Sequence, residues 1–149
     1  MTERADPARG ERLRMISRWV LAAAFVFAGV MHFVITDAYM RIMPPWVPLH
    51  RELVLLSGVC EIAGGVGLLV PRTRRAAGIG LVLLLVAVFP ANVQMLLNAR
   101  AAGASALARV LLWARLPLQL ALIAWVVYAA RLRRRSRVRT GDAGAPGRV

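Results

Sequence analysis

The sequence predicts an all-α integral membrane protein, an antiparallel up-down-up-down bundle of four helices. Three observations lead there. Four apolar runs, at 19–35, 53–70, 76–97 and 110–130, are each about as long as a bilayer crossing requires. A helix rises ~1.5 Å per residue, so roughly 17–25 apolar residues cover the ~30 Å hydrocarbon layer. Hydrophobic residues make up 59% of the chain and the mean hydropathy is +0.61, beyond the ~45–50% apolar usage of soluble domains. Finally, the arginines alternate in density from one connection to the next.

All 20 basic residues are arginine, and the net charge is +13. Arg4, Arg9, Arg12, Arg14 and Arg18 precede the first run, and Arg72, Arg74 and Arg75 separate the second from the third. Arg131, Arg133, Arg134, Arg135, Arg137, Arg139 and Arg148 follow the fourth. The intervening connections hold only Arg41, Arg51, Arg100 and Arg109. Positive residues stay on the cytoplasmic side. Both termini are therefore expected in the cytoplasm, with the chain multi-pass in a bacterial cytoplasmic membrane. The basic ends attract anionic lipid headgroups. Without interleaved aromatics or a nucleic-acid-binding fold, the charge does not point to nucleic acid.

Residues 1–14 form a basic cytoplasmic segment, expected to be disordered until the helix begins near Leu13. The transmembrane domain spans 15–132. Its first helix, at about 15–35, has a basic flank like a signal peptide, but the apolar run is long for one and no small-residue cleavage site follows. The connection 36–52 contains Asp37, a candidate cap for a short helix over 38–43, and Pro44 and Pro45, which must end it. Tyr39, Met40, Met43 and Trp46 give this segment an interfacial face that covers the outer mouth of the bundle. Pro48 suits the start of the second helix, at about 49–70, and Pro71 its end. On that helix Ser57, Glu61, Gly64 or Gly65, and Leu68 recur at helical spacing on one face, where small residues allow close approach. A short turn leads to the third helix, at about 75–98. Gly103 and Ser105 mark the next turn, with Ser105 a cap for the fourth helix, at about 106–132. Residues 133–149 form a basic tail expected to be disordered.

The chemistry lies in polar groups inside apolar runs: His32, Ser57, Glu61, Asn92, Gln94, Arg115 and Gln119. Ionisable residues cost at least ~2.5–3.5 kcal/mol in hydrocarbon and face the bundle interior with a partner. Counted at ~1.5 Å per residue, all seven fall between the bilayer centre and the outer leaflet. Pro90 and Pro117 free the carbonyls of Val86 and Trp113, which need donors in a membrane. Asn92 and Arg115 are close enough in sequence to supply them. Two kinked helices are expected to open a polar pocket outward.

Glu61 and Arg115 form the natural charge pair. It can fix helix register with Gln119 bridging, it can build a ligand or proton site, or Arg115 can snorkel to the outer interface. His32 can simply bond a neighbour, relay a proton, or ligate haem with His50. The methionines with Cys60 and His32 can in principle hold copper(I). Cys60 has no partner for an internal disulfide and reads as a small buried hydrophobe. No zinc spacing, phosphate loop or nucleophile–base signature is present, and no cofactor site is evident.

The motifs GVMHF (29–33), PPWVP (44–48), SGVCEIAGGVGLLVPRTRRAAG (57–78), VFPANVQM (88–95) and RLPLQ (115–119) occur in that order. Together they resemble the short branch of the DoxX-like family of small bacterial membrane proteins, over roughly residues 25–128. The resemblance implies a four-helix membrane fold and a redox association through a quinone-linked oxidoreductase. Its motif positions here are His32, Ser57, Glu61, Gly65, Pro90, Asn92, Arg115, Pro117 and Gln119. The expected role is an accessory subunit, not catalytic on its own, with a membrane or soluble oxidoreductase as partner and quinone as the implied ligand. A small-solute or proton permease and a structural or assembly factor are the alternatives.

Overall fold

The computed structural model describes residues 7–130 and is all-α. It contains α1 (Pro7–Val34), α2 (Thr36–Met40), α3 (His50–Leu69), α4 (Arg74–Ala101) and α5 (Ala106–Ala129). The four long helices are each long and apolar enough to cross a membrane. The expected tail 133–149, the last turn to 132, and residues 1–6 lie outside the described residues.

Helix α1 starts earlier than the composition of 1–14 suggested. Residues 8–14 are mostly good helix formers, and Glu11 links two later turns, to Arg14 at 3.5 Å and to Arg18 at 3.2 Å. Helix α2 differs from the expected 38–43. Asp37 lies inside it, and its capping position, Ile35, makes no side-chain bond. Thr36 explains the shift. Its hydroxyl donates back to the His32 carbonyl at 2.7 Å, satisfying one of the carbonyls left open at the end of α1. The chain can then turn at once into α2.

Helix α3 begins two residues after Pro48, because Leu49 at its N-cap adopts a left-handed backbone (φ 54°). Ser105 does cap α5, accepting from Ala108 N at 3.2 Å, and Gly103 supplies the positive φ of that turn. Pro90 and Pro117 both lie inside continuous helices.

The helices associate as two leaves. Helices α1 and α3 make the closest association in the fold. Gly29 and Gly58 bring the two backbones together, and Gly65 sits against Ala22 and Phe25. The predicted face of α3 is the one that is buried: Ser57, Gly58, Glu61, Gly64, Gly65 and Leu68. Helices α4 and α5 form the other leaf.

The leaves meet at one end. There Leu21 and Phe25 of α1, Leu68 of α3, Leu81 and Leu85 of α4, and Val126 and Ala129 of α5 form the apolar core. Gly64 packs on Leu81 and Gly67 on Ala77. Two arginines secure this end. Arg18, only 6% exposed, donates from Nε to the Ala129 carbonyl at 3.0 Å. Arg74 Nε donates to the Leu68 carbonyl at 3.1 Å. Each guanidinium places positive charge on the negative end of a helix dipole.

Candidate functional site

Away from that core the leaves enclose a cavity of about 670 Å³, within the size range of small-molecule sites. All four long helices line it. The connection between α1 and α3 covers one side through Tyr39, Ile42, Met43, Pro44, Trp46 and Val47. Six of the seven polar residues singled out in the sequence line it: His32, Ser57, Glu61, Asn92, Arg115 and Gln119.

Gln94 is the exception. It donates to Asn98 at 2.8 Å, and Asn98 donates in turn to the Arg41 carbonyl. Two residues on a helix differ by about 200° in direction, since a turn takes 3.6 residues. Asn92 points toward the cavity, while Gln94, turned round the helix from it, is engaged by Asn98 outside the cavity lining.

His32 is held firmly. Its Nδ1 lies 2.9 Å from the Val54 carbonyl and 3.0 Å from the Ser57 hydroxyl oxygen. The Ser57 hydroxyl donates to the same Val54 carbonyl at 2.8 Å. A carbonyl has no hydrogen to give, so Nδ1 carries the hydrogen and donates it. In the neutral ring, Nε2 then presents a lone pair. The Tyr39 ring stacks on the imidazole, with centroids 4.0 Å apart and planes 20° from parallel. Burial first, then the nearby Glu61 carboxylate, push the Tyr39 hydroxyl above its usual range, while Arg115 pulls it back.

Glu61 faces that lone pair. Its Oε2 is 3.6 Å from His32 Nε2, too long for a hydrogen bond. The residue is 9% exposed, and Oε2 is buried with no hydrogen-bond partner among the described residues. Two acceptors thus face each other across a gap. A shared proton or a donor hydrogen from a bound molecule satisfies both.

The expected Glu61–Arg115 pair does not form, since no salt bridge to Arg115 occurs among the described residues. The reason lies in helix placement. Helix α5 packs mainly on α4, whereas α3 packs on α1 and α4. The cavity separates the two charges, and α1 supplies His32 as the neighbour of Glu61. Arg115 is exposed at the rim, lining the cavity without a paired carboxylate.

The second polar group links α4 and α5. Asn92 Nδ2 donates to Gln119 Oε1 at 2.9 Å, and Gln119 Nε2 donates to the Leu85 carbonyl. Asn92 and Arg115 therefore do not cap the carbonyls freed by the prolines. Gln119, 4% exposed, instead serves a carbonyl one residue before Val86. Gln119→Leu removes the acceptor of the Asn92 amide and the added bond to the Leu85 carbonyl. It is expected to cost about 1–3 kcal/mol, read as a lower midpoint in denaturant unfolding of the detergent-purified protein.

Other expectations shift too. Cys60 is exposed and lines the cavity rim, because it sits one residue off the buried Ser57–Glu61 face. His50 Nε2 donates to the Pro44 carbonyl at 3.1 Å, pinning the loop. No group of three or more His, Cys, Asp or Glu suited to a metal occurs among the described residues. Tyr39 and Arg18 carry more of the site and the fold than the sequence reading assigned. Tyr39 reaches His32 only because the chain breaks at Ile35 and turns into α2, so no helical spacing in the sequence pairs them. The burial of Arg18 likewise had no signal in the sequence.

A family model described as a domain of unknown function, DUF8561, matches residues 21–130. The chain belongs to the DUF8561 family. Every cavity-lining residue falls inside the matched segment, so the cavity is part of the DUF8561 domain. No curated protein and no solved structure matches the chain.

Proposed function

We propose that this DUF8561 protein binds a small membrane-dissolved molecule and serves as an accessory subunit of a quinone-linked redox system. The observation that carries the binding site is the unpartnered Glu61 oxygen facing His32 in a cavity that also holds unpaired Arg115. A quinol meets both needs. One hydroxyl donates to the Glu61–His32 gap, and a second oxygen accepts from Arg115. The redox association rests on the likeness of the five motifs to the DoxX-like family, and the oxidoreductase partner follows from that likeness.

The arrangement in the bilayer is part of the same reading. The chain passes four times through a bacterial cytoplasmic membrane, up-down-up-down, with both termini inside and the cavity in the outer leaflet. Gly29 lying against Gly58 while Ala22 lies against Gly65 supports opposite directions for α1 and α3. The arginine distribution supports the orientation. The apolar core closes the cytoplasmic end of the cavity, which favours a binding protein over a permease.

The test is titration of decylubiquinol into protein in lipid nanodiscs, followed by the fluorescence of the tryptophans, of which Trp46 lines the cavity. Glu61→Gln keeps one acceptor oxygen but adds a donor amide. Binding is expected to weaken tenfold or more. Wild-type affinity in Glu61→Gln would remove the proposal.

A further inference from the structure

We infer that the cavity is loaded sideways from the lipid, and that its occupant is a molecule with a hydroxyl-bearing head and an apolar tail lying between the two leaves. This deepens the binding reading above and rests on it.

The long helices of the two leaves clasp near one end, and at the other Asn98 of α4 donates to the Arg41 carbonyl of the α1–α3 connection. Between α1 and α5, Arg18 meets Ala129, Arg14 lies over the Tyr128 ring at 5.8 Å, and Leu21, Phe25, Val126 and Ala129 share the core. All lie in the first two-thirds of α1 and the last turns of α5. Beyond them, Ala28 of α1 and Leu118 of α5 line the cavity. The seam between α3 and α4 repeats the pattern. Gly64 and Gly67 lock onto Leu81 and Ala77 near the turn. Farther along, Leu56, Cys60 and Ala87 line the cavity.

Several of these side chains are cavity wall and outer surface at once. Leu118 is 65% exposed and Leu56 is 57% exposed, and Cys60 and Ala87 are exposed too. In a membrane that surface faces acyl chains, so the openings lead into lipid. The side toward the α1–α3 connection is different, being covered by Tyr39, Met43, Pro44 and Trp46.

The interior specifies the head of the occupant. Glu61 Oε2 is buried without a donor, and a hydroxyl on the head supplies the hydrogen that the Glu61–His32 gap accepts. Arg115 at the rim requires an acceptor. The portals are alanine, leucine and cysteine, which offer a polar chain no more than one weak thiol, so the tail is apolar.

The deciding experiment needs no ligand. A nitroxide is attached at Ala28→Cys, and separately at Ala87→Cys, in a Cys60→Ser background reconstituted in phospholipid vesicles. Relaxation is measured with oxygen, which dissolves in lipid, and with a water-soluble nickel chelate. Sideways opening to lipid predicts that oxygen shortens relaxation several-fold at both positions while the nickel chelate has no effect. Collision with the nickel chelate at either position overturns the inference, since the cavity then opens to water. A ligand arm compares decylubiquinol with its tailless headgroup, which is expected to bind at least tenfold more weakly; equal affinity also overturns it. If neither binds, the quinone reading fails, and the spin labels alone decide whether the cavity opens to lipid.

Discussion

Gly29→Leu is expected to abolish the stable association of α1 with α3. A Cβ at Gly29 would stand 2.6 Å from the Gly58 carbonyl oxygen and 2.7 Å from Ile62 Cγ1. The first is backbone and cannot rotate away, and the mirror contact, Gly58 against the Gly29 carbonyl, would be 2.8 Å. Helix α1 must therefore move off α3 as a body. Overpacking in a close-packed interior costs about 1–3 kcal/mol and more where no side chain can yield. The move also pulls His32 away from Val54 and Ser57, only one turn further along α1. Gly80→Leu is the control. It sits in a helix of the same protein with no atom within 4 Å of its added Cβ, and removing a helical glycine is worth up to ~1 kcal/mol. Thermal melting in detergent should show Gly29→Leu unfolded or greatly lowered, and Gly80→Leu unchanged or raised. Equal melting of the two variants would contradict the glycine-mediated packing of the first leaf.

The contrast between these glycines shows what the sequence makes legible. Span number and length follow from composition, because hydrocarbon excludes charge whatever the neighbours are. The buried face of α3 is also legible, since Ser57, Glu61, Gly64 and Leu68 recur at the helical period and all are buried. What hydropathy does not encode is which helix lies beside which. Opposite charge and overlapping depth pair Glu61 with Arg115, yet glycines draw α1 onto α3 and place His32 there first. Depth groups Gln94 with Asn92, although Gln94 is engaged by Asn98 away from the cavity. Arg18 counted only as a topological charge, while its guanidinium is buried against the end of α5. Each of these misses concerns direction around a helix axis or choice of neighbour.

The His32–Glu61 pair should separate stability from binding. His32→Leu removes the donor to Val54, the stacking partner of Tyr39 and the group facing Glu61, leaving a buried carboxyl with nothing nearby. Losing the buried hydrogen bond from His32 to the Val54 carbonyl costs about 1–3 kcal/mol, and the lost ring stacking adds about 0.5–1.5 kcal/mol. Glu61→Leu should cost less, because His32 keeps Val54, Ser57 and Tyr39. The double variant His32→Leu/Glu61→Leu removes the stranded carboxyl as well, and replacing both partners of a buried pair by apolar groups is often neutral. It should therefore melt above His32→Leu despite carrying an extra substitution, with a coupling of about 0.5–3 kcal/mol between the two sites. Additive losses would mean that the 3.6 Å approach contributes nothing. Binding should behave oppositely. All three variants lack the paired acceptors, so decylubiquinol affinity should be lost in the double variant at least as fully as in either single one. A chain that regains stability while remaining unable to bind would show that this charge is kept in the membrane interior for its ligand, at a cost to the fold.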